Sequence, residues 1–233
     1  MIVLVGVAHV IDVSKQIEML VEHHAPAAVG VELDPARYKA MVEKGPRGKV
    51  PIQYRLLAVT QRRLADQFGG EVGAEMLAAI ESAKRHGARP IFVDMDAGRL
   101  FNSLLHQMTF KEKVLMFFSS FTGLFISRKR VEKELDQFQK NEGAYMEAMG
   151  QSYPTVKRVL IDERNQYMAS ALLKAQSTYG NVLAVIGDGH VEGIRKILAR
   201  EDIVAYRLKD LSDLKLEPRT GNAEASFSFT VDA

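Results

Sequence analysis

The sequence predicts an α/β protein with a mostly parallel, mixed sheet of five to six strands, flanking helices and a long helical insertion. Three observations support this. Short Val, Ile, Leu and Ala runs, typical of buried parallel strands, alternate with segments of helical periodicity. Two of these runs pass into the same Gly-x-x-His pattern, ending at His9 and at His190. The segment 97–179 has no strand pattern, so we expect one domain over 1–233 with this insertion inside it.

The first part of the chain alternates strands with helices. An apolar run from residue 2 to Gly6 predicts the first strand, and Asp12 or Ser14 can cap a helix that extends to about His24. Asp34 before Pro35 is typical of a helix N-cap, so we expect Asp34 to be structural. The other elements predicted up to residue 93 are strands over 27–31 and 89–93, a helix from Pro35, and helices over about 52–68 and 71–86.

The second part of the chain is mainly helical before it returns to the sheet. Apolar and polar residues alternate in the terminal segment 225–231, which is typical of an edge strand or of an arm that pairs with a partner. A homo-oligomer is therefore one expectation from the sequence. The other predicted elements are helices over about 97–107, 110–121, 128–149, 154–179 and 191–199, and strands over 182–186 and 203–207.

The composition excludes several classes of function. The net charge is +2 with acidic and basic residues intermixed, which gives no electrostatic support for nucleic-acid binding. The chain has no cysteine, so thiol nucleophiles, disulfides and thiolate metal sites are excluded. Because the apolar N-terminal run lacks a basic region and a cleavage site, we expect a cytoplasmic protein.

One apolar stretch, 114–126, is shorter than the roughly 20 residues that a transmembrane helix needs. Lysines precede it and Arg128, Lys129 and Arg130 follow it. It can therefore be a buried helix with solvated ends, or it can make peripheral membrane contact through 111–130.

Ionisable side chains end four of the predicted strands. They are His9, Glu32, Asp94 and either Asp188 or His190. If the strands are adjacent, these side chains meet at one edge of the sheet, where α/β proteins bind ligands. Two imidazoles and a carboxylate are typical of a catalytic divalent metal with one position open for water. Taken singly, each residue also fits a structural role as a cap or an ion-pair partner.

The segment Gly187 to Gly193 also fits a relaxed dinucleotide-binding pattern, G-x-G-x-x-x-G. The strand that follows ends near Arg207 without the acidic residue expected about 20 residues after such a fingerprint. The chain also contains no nucleophile elbow, P-loop or HExxH motif.

Five segments resemble, in order, the TraB/PrgY family, which includes pheromone-shutdown proteins and is related to the Tiki metalloproteases and the erythromycin-esterase/ChaN-like superfamily. The similarity covers about residues 2–200. The segments that carry it are Gly6-Val-Ala-His9, Val29-Gly-Val-Glu-Leu-Asp34-Pro-Ala-Arg37, Phe92-Val-Asp94, Asp162-Glu-Arg-Asn165-Gln-Tyr-Met-Ala169 and Val185-Ile-Gly-Asp-Gly-His190-Val-Glu-Gly-Ile194. One departure is Met95, because the family usually has Arg after the Asp that corresponds to Asp94.

The resemblance implies a metal-dependent hydrolase, with a peptidase as the first expectation. Its metal ligands carry over onto His9, Glu32 and His190, and Glu163 and Arg164 match the acidic-Arg-Asn motif. The ion would be Mn, Co or Zn. We expect Glu163 or Asp188 to carry a proton and Arg164 to hold a substrate carboxylate or a developing oxyanion. The substrate would be a peptide or a small molecule.

The alternative hypothesis is a non-catalytic binding or regulatory protein. It would sequester a peptide, haem or a nucleotide at the same edge of the sheet, with the helical insertion and the terminal strand contacting the partner.

Overall fold

The sheet contains five parallel strands in the order β3-β2-β4-β1-β5. The computed structural model describes residues 1–8, 12–43, 73–115, 133, 137, 141–211 and 214. The strands are β1 (Ile2–Val7), β2 (Ala28–Val31), β3 (Arg89–Phe92), β4 (Val182–Gly187) and β5 (Ile203–Tyr206). The predicted α/β fold is confirmed, and the described part of the sheet is wholly parallel rather than mixed.

Helices connect and cover the strands. They are α1 (Ser14–His24), α2 (Pro35–Val42), α3 (Ala74–Arg85), α4 (Ala97–Gln107), α5 (Glu142–Ser152), α6 (Pro154–Lys157), α7 (Glu163–Tyr179), α8 (Asp188–Leu198) and α9 (Leu208–Leu211). Residues 110–115 are also helical. The predicted helix over 52–68, most of the segment 111–130 and the predicted strand 225–231 lie outside the described residues.

The two faces of the sheet are covered by different helices. On one face, Ile17 and Leu20 of α1 and Met76 of α3 pack on the inward side chains of β1, β2 and β4. On the other face, Leu172 of α7 and Ile194 of α8 pack on the opposite side chains of the same strands. The chain therefore leaves β1 toward one face and β4 toward the other. In open α/β sheets, ligands bind beyond strands whose connections diverge in this way.

Two helices differ from their predicted form in ways that affect the functional site. The helix after β4 begins at Asp188 rather than near residue 191, so His190 lies in its first turn. The predicted helix over 154–179 is interrupted by a π-helical turn, Arg158–Asp162, directly before α7. Hydrophobic periodicity does not separate α from π turns, because the apolar face continues through both. Single π turns occur frequently at functional sites.

Asp34 has the predicted structural role. Its Oδ1 accepts hydrogen bonds from the amides of Ala36 and Arg37 at 2.9 and 3.0 Å, and Pro35 occupies the first helical position. Its Oδ2 accepts from the amide of Ala97 at 3.3 Å, so one carboxylate joins the starts of α2 and α4.

Hydrogen bonds connect two helical segments within the insertion. Thr109 and Glu112 form a capping box, in which each side chain accepts from the amide of the other residue at 2.9 and 3.2 Å. Glu112 also accepts from the amide of Thr155 at 2.8 Å, which joins residues 110–115 to α6. Between residues 97 and 179, the part of the chain that the structure describes contains no strand, as predicted.

No helix within the described ranges is both long enough and apolar enough to cross a bilayer.

Gly6 of β1 lies against the carboxylate of Asp188. A Cβ atom at residue 6 would be 2.2 Å from Asp188 Oδ1, which is also bonded to Arg207 and to the amide of Leu208. We therefore expect Gly6→Ala to lower the free energy of unfolding by about 1–3 kcal/mol, the usual range for overpacking. Chemical denaturation measures this difference.

Gly143 in α5 provides the matched control, because its added Cβ would have no heavy atom within 4 Å. We expect Gly143→Ala to leave the stability unchanged or to raise it by up to about 1 kcal/mol, because Ala favours helix more than Gly. Equal stabilities of the two variants would contradict the steric explanation.

Candidate functional site

A buried polar network lies at the carboxyl edge of the sheet. It consists of Glu32, Asp94, Arg164, Asn165 and His190, and we call it the Arg164 network. Glu32 directly follows β2, and Asp94 lies just beyond β3. Arg164 and Asn165 lie in the first turn of α7, and His190 lies in the first turn of α8. Four separate segments of the chain thus contribute to one site.

Arg164 is at the centre of this network. Its Nε and Nη2 donate to the two oxygens of Asp94 at 3.0 and 2.8 Å, which is a bidentate pair. Nη2 also donates to Oε1 of Glu32. Nη1 donates to Nε2 of His190 at 3.0 Å and to the carbonyl of Leu160, in the π turn, at 3.4 Å.

The guanidinium of Arg164 is charged in this environment. Burial alone would lower its pKa, but the carboxylates of Glu32 and Asp94 raise that pKa above the ordinary value of an arginine. Asp94, whose side chain is 1% exposed, also accepts from Arg37 at 3.3 Å. The two buried carboxylates therefore face two arginines.

Glu32 connects Arg164 to the end of β4. Its Oε2 accepts from the amide of Gly187, and its Oε1 lies 3.7 Å from Nε2 of His190. Strands β2 and β4 are neighbours in the sheet, which is why the residue after β2 reaches the end of β4.

His190 has a hydrogen-bond partner on each ring nitrogen. An arginine can only donate, so Nε2 of His190 is the acceptor for Arg164. The ring proton is then on Nδ1, which donates to Oδ1 of Asn165 at 2.7 Å. The described contacts hold His190 as the neutral Nδ1–H tautomer.

Asp188, predicted as a proton carrier, belongs to a second ion network. Its two oxygens accept from Nε and Nη2 of Arg207 at 2.9 and 2.7 Å, and Arg207 also donates to Glu142 at 2.8 Å. The hydrogen bonds from Arg207 to Asp188 help to raise the pKa of Arg207 above its ordinary value. This network joins the start of α8, the residue after β5 and the start of α5.

Glu163, the other predicted proton carrier, is directed away from the Arg164 network. Its described partner is Arg158, at 2.6 Å, and both side chains are more than a third exposed. Of the three predicted catalytic residues, only Arg164 belongs to the Arg164 network; Asp188 is buried in the second ion network, and Glu163 is partly exposed.

The predicted metal ligands are described only in part. His9 lies outside the described residues. The separation of 3.7 Å between Glu32 and His190 would suit two ligands of one ion, yet the guanidinium of Arg164 donates to both of these atoms. Among the described residues, no group of three His, Asp or Glu side chains has a geometry that would hold a metal ion. With Arg164 in this position, the described residues do not fit the ion.

Four contributors are absent from the predicted site residues. Asn165 follows Arg164 directly and is 4% exposed, Arg37 donates to Asp94, and Arg207 donates to Asp188 and Glu142. The polar run of residues 162–165 within an amphipathic helix is the sequence signal for Asn165, because four consecutive polar residues must place some of them on the buried face. No sequence signal distinguishes Arg207 from the exposed arginines of the chain.

The Arg164 network predicts a large stability effect. Arg164→Met leaves the buried carboxylate of Glu32 without its arginine and leaves Asp94 with Arg37 alone, so we expect a loss of about 3–5 kcal/mol in the free energy of unfolding. Arg158→Met is the matched control in the same helical segment. It removes an exposed pair, with an expected loss of about 0–1 kcal/mol. Urea denaturation of both variants measures the difference, and similar losses would mean that Arg164 is not required to neutralise the site.

Comparison with known proteins gives a family. The model of the TraB/PrgY/gumN family matches residues 1–207. An uncharacterized protein of Methanocaldococcus jannaschii is 30% identical over 213 residues, which is 85% of this chain and 53% of that protein. The chain thus spans about half the length of this relative. The family match includes every residue of the Arg164 network, and the chain therefore belongs to the TraB/PrgY/gumN family.

Proposed function

We propose that the protein is a hydrolase that acts on a carbonyl substrate, most simply a peptide, at the carboxyl edge of its sheet. The observation that supports this proposal is the pair of Glu32 and His190, 3.7 Å apart and nearly buried beside a fixed guanidinium. Carboxylates and imidazoles that converge from separate elements are the groups that general acid–base catalysis uses.

Glu32 is the general base in this proposal. It takes a proton from a water molecule whose oxygen attacks the carbonyl carbon, and the proton then passes to the amine as the C–N bond breaks. Glu32 suits this role because Arg164 and the amide of Gly187 donate to opposite oxygens of its carboxylate and fix its orientation. Arg164 contributes positive charge near the carbonyl oxygen as negative charge develops there.

The roles of Glu163 and Asp188 as proton carriers stay predictions. Each is bound to an arginine outside the Arg164 network, so each would have to leave that partner to reach Glu32 or His190. Activity of Glu163→Gln and Asp188→Asn tests these two roles directly.

A non-catalytic binding protein is the second candidate. One observation favours it: every N–H group of Arg164 has an acceptor within the protein, which is expected if the site is built mainly for stability. Saturable binding of a peptide, haem or a nucleotide without turnover would support this candidate.

The hydrolase proposal is tested with a library of fluorogenic peptides, first with the unmodified protein and then with Glu32→Gln. Because this substitution removes the base and keeps the shape, we expect kcat/KM to fall by about 10²–10⁴-fold. Glu18→Gln is the control, since Glu18 is an exposed acid of α1 whose partner is Arg85. Equal activity of both variants would contradict the role of Glu32, and no turnover in any peptide pool would contradict peptidase activity.

The divalent ion is tested separately by metal analysis of the purified protein. The sequence predicts one Mn, Co or Zn ion per chain and its loss from both His9→Ala and His190→Ala. The position of Arg164 predicts instead that His190→Ala does not change the metal content. The metal content of His190→Ala decides between these two expectations.

Three further expectations from the sequence also stay proposals: no nucleic-acid partner, a homo-oligomer, and peripheral membrane contact through 111–130. Co-sedimentation with anionic vesicles tests the last one. Charge reversal at Lys111, Lys113 and Arg128–Arg130 should then remove the binding.

A further inference from the structure

We infer that Arg164, rather than a divalent ion, is the cation that Glu32 and His190 bind, and that Arg164 and Asn165 hold His190 from opposite sides. This inference concerns the site of the proposed function and rests on that proposal to this extent alone. It assigns Asn165 as a positioning residue that acts through His190, and Arg164 as the cation that orients both His190 and Glu32.

The hydrogen-bond inventory of Arg164 is the first support. A guanidinium has five N–H groups, and Arg164 has five acceptor contacts within the protein. Two are to Asp94, and one each is to Glu32, His190 and the carbonyl of Leu160. Each N–H group therefore has its own acceptor, which is expected of a site whose acceptors are arranged around a planar guanidinium.

The engagement of both nitrogens of His190 is the second support. A metal ion binds the lone pair of an unprotonated ring nitrogen. The lone pair of Nε2 is directed at Arg164, 3.0 Å away, and Nδ1 carries the proton donated to Asn165. An ion could bind His190 only after Arg164 or Asn165 had left its place.

The surrounding backbone fixes both neighbours of His190. The carbonyl of Leu160, in the π turn, accepts from Arg164, so this turn helps to set the position of the guanidinium. Gly193 of α8 provides space for Asn165, because a Cβ atom at residue 193 would be 2.1 Å from Asn165 Nδ2. A glycine one turn after His190 therefore lets α7 and α8 approach closely enough for the Asn165 contact.

The charges are consistent with this assignment. Glu32 and Asp94 carry two negative charges, and Arg164 and Arg37 carry two positive charges within contact distance. A divalent cation beside Arg164 would add two positive charges next to a buried guanidinium, and like charges in a poorly solvated site repel strongly.

The test is NMR of the full chain labelled with ¹⁵N, prepared in chelator. Long-range ¹H–¹⁵N correlations report the tautomer of each histidine, and the signal that His190→Gln removes is that of His190. We expect the Nδ1–H tautomer and no change of this signal when excess Zn²⁺ is added. A shift of Nε2 at one equivalent of Zn²⁺, with binding lost in His190→Gln, would overturn the inference.

Two variants of Asn165 test its part. Arg164 keeps the proton on Nδ1 in both variants, so the readout is the exchange of that proton with solvent. We expect Asn165→Leu to broaden the Nδ1–H signal of His190, because no acceptor remains for that proton, and Asn165→Asp to keep it sharp, because a carboxylate accepts the same hydrogen bond. An equally sharp Nδ1–H signal in Asn165→Leu would overturn the role of Asn165. These measurements need no substrate, so they stand apart from a failure to find hydrolysis.

Discussion

The pairing of one buried guanidinium with two buried carboxylates is the constraint on which the functional site depends. Charges that leave water must find partners, since an isolated buried charge is costly by several kcal/mol. Arg164 meets this requirement for Glu32 and Asp94 together, and it does so from a helix that packs on the face of the sheet opposite α1 and α3. The geometry of the site is therefore tied to the packing of α7 on the sheet.

The parallel sheet makes this arrangement available. All five strands point the same way, so the ends of β2, β3 and β4 lie at one edge, and the order β3-β2-β4 places them side by side. Glu32 reaches the amide of Gly187 across that edge. A second arginine, Arg207, binds Asp188 at the same edge on the side of β5. Two arginine-centred networks thus lie at this edge, and in the described contacts the first includes an imidazole and the second, which links the ends of β4 and β5 across β1, does not.

The identity of the cation decides what chemistry the site can perform. A bound metal would activate water directly. A guanidinium cannot, since it neither coordinates water as a Lewis acid nor gives up its proton in proteins. In the proposed hydrolase, with Arg164 as the cation, proton transfer would fall to Glu32, and His190 would contribute a fixed, neutral ring. Electrostatic stabilisation and proton transfer would then be separated between Arg164 and Glu32.

The sequence by itself determined the α/β class, the positions of all five described strands to within one residue at every end, and the capping role of Asp34. These are local properties, set by hydrophobic periodicity and by the backbone preferences of Asp and Pro. It also indicated that Glu32, Asp94 and His190 meet at one edge, because parallel strands share that edge. Only the tertiary structure decided that Arg164 lies between them, that Asn165 contacts His190, and that Asp188 and Glu163 bind other arginines. The contacts of Arg164 join residues up to 132 positions apart, and they depend on helix packing and on the register of a π turn, neither of which periodicity encodes.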